Sequence, residues 1–343
     1  MKSKLLAASL IAAPVLVGLK PIADDVAFHP ADGSSASKEY KISASFSLGD
    51  LSATVDGQDM SESLPGEAEV TAELLMNVTD QYVSTVDGRP HELIRSYDGL
   101  SLEWETPDES GESDELADME GKRVLFKWDP DSEIYDKSYY ECDGDEEALD
   151  SVSPEMDLQA LLPDGEVSEG DSWTVPASKL GPVLVFGAES SELNLDDDEF
   201  GAMMAAEIVP QVEQLMEQLE AHCEYRGRQD ADGRSLGLIA VTLSGDGDID
   251  LGGLITSIAE TQIPPEVGVE LAIDEATLSI SVDAEGELLW DLETGLFRSY
   301  EMTAEIEVLG DFAIAADAQG ESHDLEASAE VLGEITWSAT QGE

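Results

Sequence analysis

Basic residues are scarce in this chain. Of 343 residues only 16 are Lys or Arg, against 77 Asp or Glu, for a formal net charge of −61. That balance opposes approach to nucleic acid or to anionic membrane, because both are polyanions. It suits cations, a basic partner, or a saline medium that screens the self-repulsion. Cysteine is nearly absent too: Cys142 and Cys223 are the only two. A dense disulfide framework and a paired C-x-x-C metal site are thereby excluded. In an exported chain the two either pair, closing a loop of roughly 80 residues with a stabilisation of about 4 kcal/mol, or stay unrelated thiols. Spacing alone does not supply the Cα–Cα distance that would decide.

Histidine occurs four times, at His29, His91, His222 and His323. His91-Glu92-Leu93-Ile94-Arg95 opens like the zinc-protease H-E-x-x-H pattern, but Arg95 stands where the second imidazole is required, and a cation does not ligate zinc. No G-x-S-x-G elbow and no glycine-rich phosphate loop occurs. The expectation is a protein that is not an enzyme. Long apolar runs are missing beyond the first residues. Met1–Lys4 is short and basic, and Leu5–Leu19 is an apolar stretch too short for a comfortable membrane span. Residues 1–23 therefore read as a signal peptide, without a lipid-anchor cysteine. The mature chain is expected to be exported, periplasmic or extracellular, with no transmembrane span.

What is present is alternation. Hydrophobic content of 42% is that of a folded protein. After a loose leader at 24–38, Tyr40, Ile42, Ala44, Phe46 and Leu48 fall on one face, with Lys41, Ser43, Ser45 and Ser47 on the other. That period of two marks a half-buried strand. The same pattern recurs at Val70–Val78, Leu93–Tyr97, Val124–Trp128, Ile239–Leu243 and Ala276–Val282, and most fully at Leu296–Val308. Asp-Gly and Thr294-Gly295 pairs between apolar runs predict hairpins. Leu162–Pro176, with turns at Pro163-Asp164-Gly165 and Gly170-Asp171, reads as the hinge between two β units. One helix is predicted over Asp197–Cys223, where Val212, Leu215, Met216, Leu219 and Cys223 form a stripe and Pro210 predicts a kink. The fold class expected is mainly β (α+β): large curved antiparallel sheet with that helix on its apolar face. The units are 39–180, a helical connector at 181–232, and 233–343.

Candidate sites follow from this layout. An apolar cavity between helix and sheet would be lined by Val212, Leu215, Met216, Leu219, Leu296, Tyr300 and Met302. Trp104, Trp128, Trp173, Trp290 and Trp337 either line a cavity or pack the core, and Met203, Met204 and Met216 either form a lid or do the same. Asp246, Asp248 and Asp250 give the D-x-D-x-D opening of a calcium loop, although Leu251 and Ser257 replace the Gly and Glu such a loop needs. They equally suit a strand edge that discourages pairing. Asp129–Asp136, Asp143–Asp145 and Asp196–Asp198 are weaker versions. Weak calcium association over the surface is the cofactor expectation.

Asp87-Gly88-Arg89-Pro90 with Arg95 and Tyr97, Gly121–Val124, Leu162–Trp173 and Leu289–Gly295 together resemble an uncharacterised group of exported bacterial proteins. That group has an L-P-x-G…G-D-x-W segment and a late W/F-D-x-x-T/S-G hairpin. More distantly, curved sheet with helical cover is similar to the lipoprotein-carrier proteins of the bacterial envelope, which implies an acyl chain held in the concave face. The two functions expected are binding of an apolar or lipid-like ligand, and an acidic envelope protein that uses cations or basic partners.

Overall fold

The alternating segments do become strands, and they join one sheet. The computed structural model describes residues 23–343 except 62–63, 65–67, 87, 108, 113–118, 150–151, 177–178, 181–207, 232, 263–268, 319–320 and 343. The strands are β1 Ser34–Val55, β2 Gln58–Asp59, β3 Glu69–Val86, β4 Arg89–Glu105, β5 Ser110–Glu112, β6 Arg123–Asp129, β7 Ile134–Tyr139, β8 Ser172–Pro176, β9 Glu220–Ala231, β10 Arg234–Asp250, β11 Val269–Asp291, β12 Leu296–Ala318 and β13 Glu321–Gln341. Among the described residues the helical elements are α1 Val209–Gln218, α2 Gly252–Gln262 and two short 3-10 turns at Glu147–Leu149 and Gln159–Leu161. The strand order is β7-β6-β4-β3-β1-β13-β12-β11-β10-β9-β8, with β2 beside β1 and β5 beside β4. Among the described residues neither helix is long and apolar enough to cross a membrane.

Among the described residues the two β units share one sheet. β1 pairs antiparallel with β3 on one side and with β13 on the other, so the first and last strands meet in the middle. The stretch 162–176 is no hinge between lobes, since Trp173 and Val175 sit in β8, paired to β9.

The sheet must curl, and a short segment shows it. Asp24 accepts from the Tyr225 hydroxyl of β9 at 2.6 Å, while Phe28 packs edge-on against Tyr82 of β3 at 5.8 Å. Flat, those strands would lie about 29 Å apart, six spacings of about 4.8 Å. Asp24 and Phe28 are joined by at most about 14 Å of extended chain. Residues 24–33 thus bridge the concave face near one end of the strands, with Val26 and Phe28 in the core. They are not a loose leader. Residues 143–149 and 152–171 fill the same end: Leu149, Val152, Met156, Leu158 and Leu161 are buried with Tyr40, Tyr300 and Trp290 in one cluster.

The helix is shorter than its stripe suggested. α1 begins at Val209, with Pro210 in its first turn, where a missing N–H costs nothing and no kink is required. It ends at Gln218, because Glu220–Ala231 is strand. Leu219, Ala221, Cys223 and Tyr225 are buried while Glu220, His222 and Glu224 are not, so period two wins over period 3.6 here. Asp196–Asp198, Met203 and Met204 lie outside the described residues, as does nearly all of the expected signal peptide.

Candidate functional site

Charge is buried in the middle of this sheet. Lys38 on β1, Asp80 and Tyr82 on β3, and Arg95 on β4 all point inward, and Asp157 reaches them from the 143–171 segment. The Lys38 ammonium donates to Asp80 at 2.6 Å, to Asp157 at 2.5 Å and to the Tyr82 hydroxyl at 2.8 Å. Arg95 grips Asp80 with two N–H groups, at 2.7 and 2.9 Å, and donates to the Ser153 carbonyl at 2.7 Å. Tyr40 donates to the Met156 carbonyl at 2.9 Å. All four ionic side chains are fully shielded from solvent. Burial pushes the Asp80 pKa up, but Arg95 and Lys38 together outweigh it and hold the carboxyl at about 2. Burial, then the nearby carboxylates, drives Tyr40 and Tyr82 well above the usual phenol range. Two cations balance two anions, and no solvent reaches them. The cluster clamps residues 153–157 onto the sheet and so closes one end of the concave face.

Beyond that closed end the inner face stays apolar and half-exposed. Ile42, Phe46 and Leu48 of β1, Leu74 of β3, Ile306 and Val308 of β12, and Val331 and Ile335 of β13 continue the inward rows of the core. Gly333 lets the Phe46 ring lie flat on the sheet, 2.5 Å from where a Cβ would stand. At the flank of this trough, Leu219 and Leu215 settle over Gly245 and Gly247 of β10. Next to them α2 packs on β11, with Leu254, Ile208 and Ile249 forming a second small core.

The expected cavity residues therefore divide. Leu219, Leu296, Tyr300 and Met302 are packed in the main core, and Tyr300 donates to the Met302 sulfur at 3.1 Å. Val212 is exposed and Leu215 half-buried over Gly247. Met216 lies on α1, its side chain outside what is described. The half-exposed apolar face is instead the neighbouring stretch of β1, β13 and β12, whose sequence signal is ordinary strand alternation.

The D-x-D-x-D segment is strand, not loop. Asp246, Asp248 and Asp250 alternate outward along β10, so their carboxylates are spread along a straight edge and do not wrap an ion. Asp248 accepts from Ser279 at 2.7 Å. Asp250 accepts from the Gly252 backbone N–H at 2.8 Å, capping the start of α2, and exchanges two backbone hydrogen bonds with the Gln211 amide. Among the described residues no group of three His, Cys, Asp or Glu is placed to hold a metal.

Both cysteines are free. Cys142 follows β7 at one end of the strand order and packs against the Arg123 backbone. Cys223 lies in β9 near the other end, opposite Trp173 and Val241. Burial pushes its thiol up to about 12. In a thiol titration of the native protein, one cysteine is expected to react quickly. The second should appear only on unfolding, and a count below two in denaturant without reductant would show a disulfide instead.

The outer face carries the acid. Asp283 of β11 stands directly opposite Glu305 of β12, which stands opposite Glu334 of β13, and Glu287 faces Glu301. Like charges paired this way destabilise a sheet unless screened. An open depression of about 430 Å³ follows this row, lined by Asp283, Glu305, Glu307 and Glu334. Glu305→Gln removes one member between two others. It is expected to raise Tm by about 1–3 °C in dilute buffer and by nothing measurable in molar KCl. An equal shift in both media would show that repulsion is not the cause.

No known family and no curated protein matches this chain. Among solved structures it is similar to an outer membrane channel from Pseudomonas putida F1, at 9% identity over 91% of this chain and 97% of that one, with a TM-score of 0.16. A second similar chain, solved in work on the asymmetric conductivity of engineered proteins, is 9% identical over 90% of this chain and all of its own length, with a TM-score of 0.14. At such TM-scores neither superposition bears on what this chain does.

Proposed function

We propose that this is an exported, non-enzymatic protein that holds an apolar or lipid-like molecule against the half-exposed inner face of its long strands. The observation that carries the proposal is the inward row of aliphatic residues running past the closed end of the concave face, from Ile42 to Leu48 and from Val331 to Ile335. Such a surface costs free energy while it faces water, at about 25 cal/mol per Å², and a bound acyl chain would relieve that cost. The buried ion cluster, sealed from substrate, supports a structural role for its charges. The acidic outer face argues against lipid on the outside of the sheet, where carboxylates would be costly.

Native mass spectrometry tests the proposal on protein purified from its own host without detergent, before and after organic extraction. An adduct of lipid-like mass that extraction removes is the expected result. A clean apo mass at high occupancy, with no enhancement of an added apolar fluorophore, overturns it.

The row Asp283, Glu305 and Glu334 favours a second reading, in which the outer face gathers cations or a basic envelope partner. It predicts that the protein folds fully only with salt. Divalent cations should then act at far lower concentration than potassium.

A further inference from the structure

Arg89 is an exception in this molecule. Acidic residues outnumber Lys and Arg by 77 to 16, and yet among the described residues no carboxylate or carbonyl accepts a hydrogen bond or forms an ion pair with its guanidinium. Its Cζ instead lies 3.9 Å from the centroid of the Trp128 ring. Stacking holds the guanidinium by its face and leaves its edge N–H groups in a fixed fork. Arg89 lines a cavity of about 400 Å³ between the starts of β4 and β7, the end of β6 and residues 154–159. That volume is within the range of small-molecule sites.

The rest of the wall is mixed in a particular way. Tyr135 packs edge-on to Trp128 at 5.0 Å and donates to the Pro90 carbonyl at 2.7 Å, which locks the aromatic pair. His91, the Glu155 carboxylate and the Gln159 amide also line the cavity, and their side chains make no hydrogen bond within the described chain. A free fork recognises a carboxylate in bidentate fashion. Trp128 and Tyr135 give the wall apolar ring surface, while a carboxylate and an amide accept hydroxyl donors. Glu155 and the net charge of −61 disfavour a dianion such as phosphate.

We infer that this cavity binds a small sugar acid: a hydroxylated ring bearing one carboxylate, with the carboxylate on Arg89 and ring hydroxyls on Glu155 and Gln159. The site is separate from the apolar trough and does not depend on it.

The experiment is calorimetric titration of the full chain with D-glucuronate, with D-glucose and inorganic phosphate as matched probes, in one buffer of fixed ionic strength. Saturable binding of glucuronate is expected, with glucose and phosphate each at least tenfold weaker. Arg89→Lys keeps the charge and loses the fork, and should weaken glucuronate at least tenfold. Gln159→Ala should weaken it severalfold, with circular dichroism unchanged in both variants. Absence of saturable glucuronate binding, equal binding of glucose or phosphate, or an unaltered Arg89→Lys variant each overturn the inference.

Discussion

Replacing Asp80 with Asn is expected to cost about 3–5 kcal/mol of stability. The reason is charge balance without water. Asp80 takes two N–H groups from Arg95 and one from Lys38, and with it gone the two cations share only Asp157. Asn fits the space, so the loss isolates the charge. The same group sets an acid limit. Its folded pKa of about 2 lies below the value of 3.8 it has when free. A depressed carboxylate contributes stability that is complete above the unfolded value and disappears as pH falls through the folded one. About two units correspond to roughly 2–3 kcal/mol, lost between about pH 4 and pH 2. Denaturant midpoints across that interval, in constant molar KCl, should fall steeply in the native protein and more shallowly in Asp80→Asn. Parallel curves would assign the acid transition to the surface carboxylates.

Trp290→Ala is expected to cost a similar amount, about 3–5 kcal/mol, for an unrelated reason. The indole is fully buried and donates to the Ala27 carbonyl at 3.2 Å. Its removal opens a void between β11 and the 24–33 segment and leaves that carbonyl without its donor. Trp290→Phe should recover much of the packing and none of the hydrogen bond. Hydrogen exchange reads the difference: amides of Val26–Phe28 should lose protection in both variants, and core amides of β12 only in Trp290→Ala. Retained protection at Val26–Phe28 would show that this segment is held by its other ties: Asp24 on Tyr225, Arg228 and Val167, and His29 on Gly295.

The hairpin beside Trp290 was legible from sequence because its chemistry is local. Asp291 accepts from the backbone of Glu293 and Thr294, and Gly295 takes a φ of +67°. The long strands were legible for the same reason, since each carries its own alternation. Closure was not. The residues that bring Asp24 to β9 and Phe28 to β3 lie in a stretch whose composition reads as a loose leader, and only the curled sheet makes Val26 and Phe28 core.

The ion cluster left a signal that period alone reveals. Lys38 is in phase with Tyr40 and Ile42, Asp80 with Val78 and Tyr82, and Arg95 with Leu93 and Tyr97. A charge in phase with an apolar row is a charge pointing into a core, and three of them on neighbouring strands need one another. The helix was overextended because Leu219 and Cys223 fit both a helical stripe and a strand. Ala221 between them, too small to weigh in the pattern, decides for the strand. α2 carries no stripe clear of its glycines, and the Asp250 that caps it suits either a calcium loop or a strand edge by sequence.

The pairing of β1 with β13 has a consequence for how the chain reaches this state. Lys38 lies opposite Gln341, and Val55 opposite Leu325, so the centre of the sheet joins segments from opposite ends of the polypeptide. The outer hairpins β3–β4 and β11–β12 close over short loops and can form early. The central seam forms only after the last strand exists, against the entropy of closing a very long loop. Contact order this high slows folding to the scale of milliseconds to seconds or longer. Until then β1 and β13 each present an unpaired edge. The dense negative charge then acts on the unfinished chain, where repulsion between copies keeps those edges apart long enough for each to find the other within one molecule.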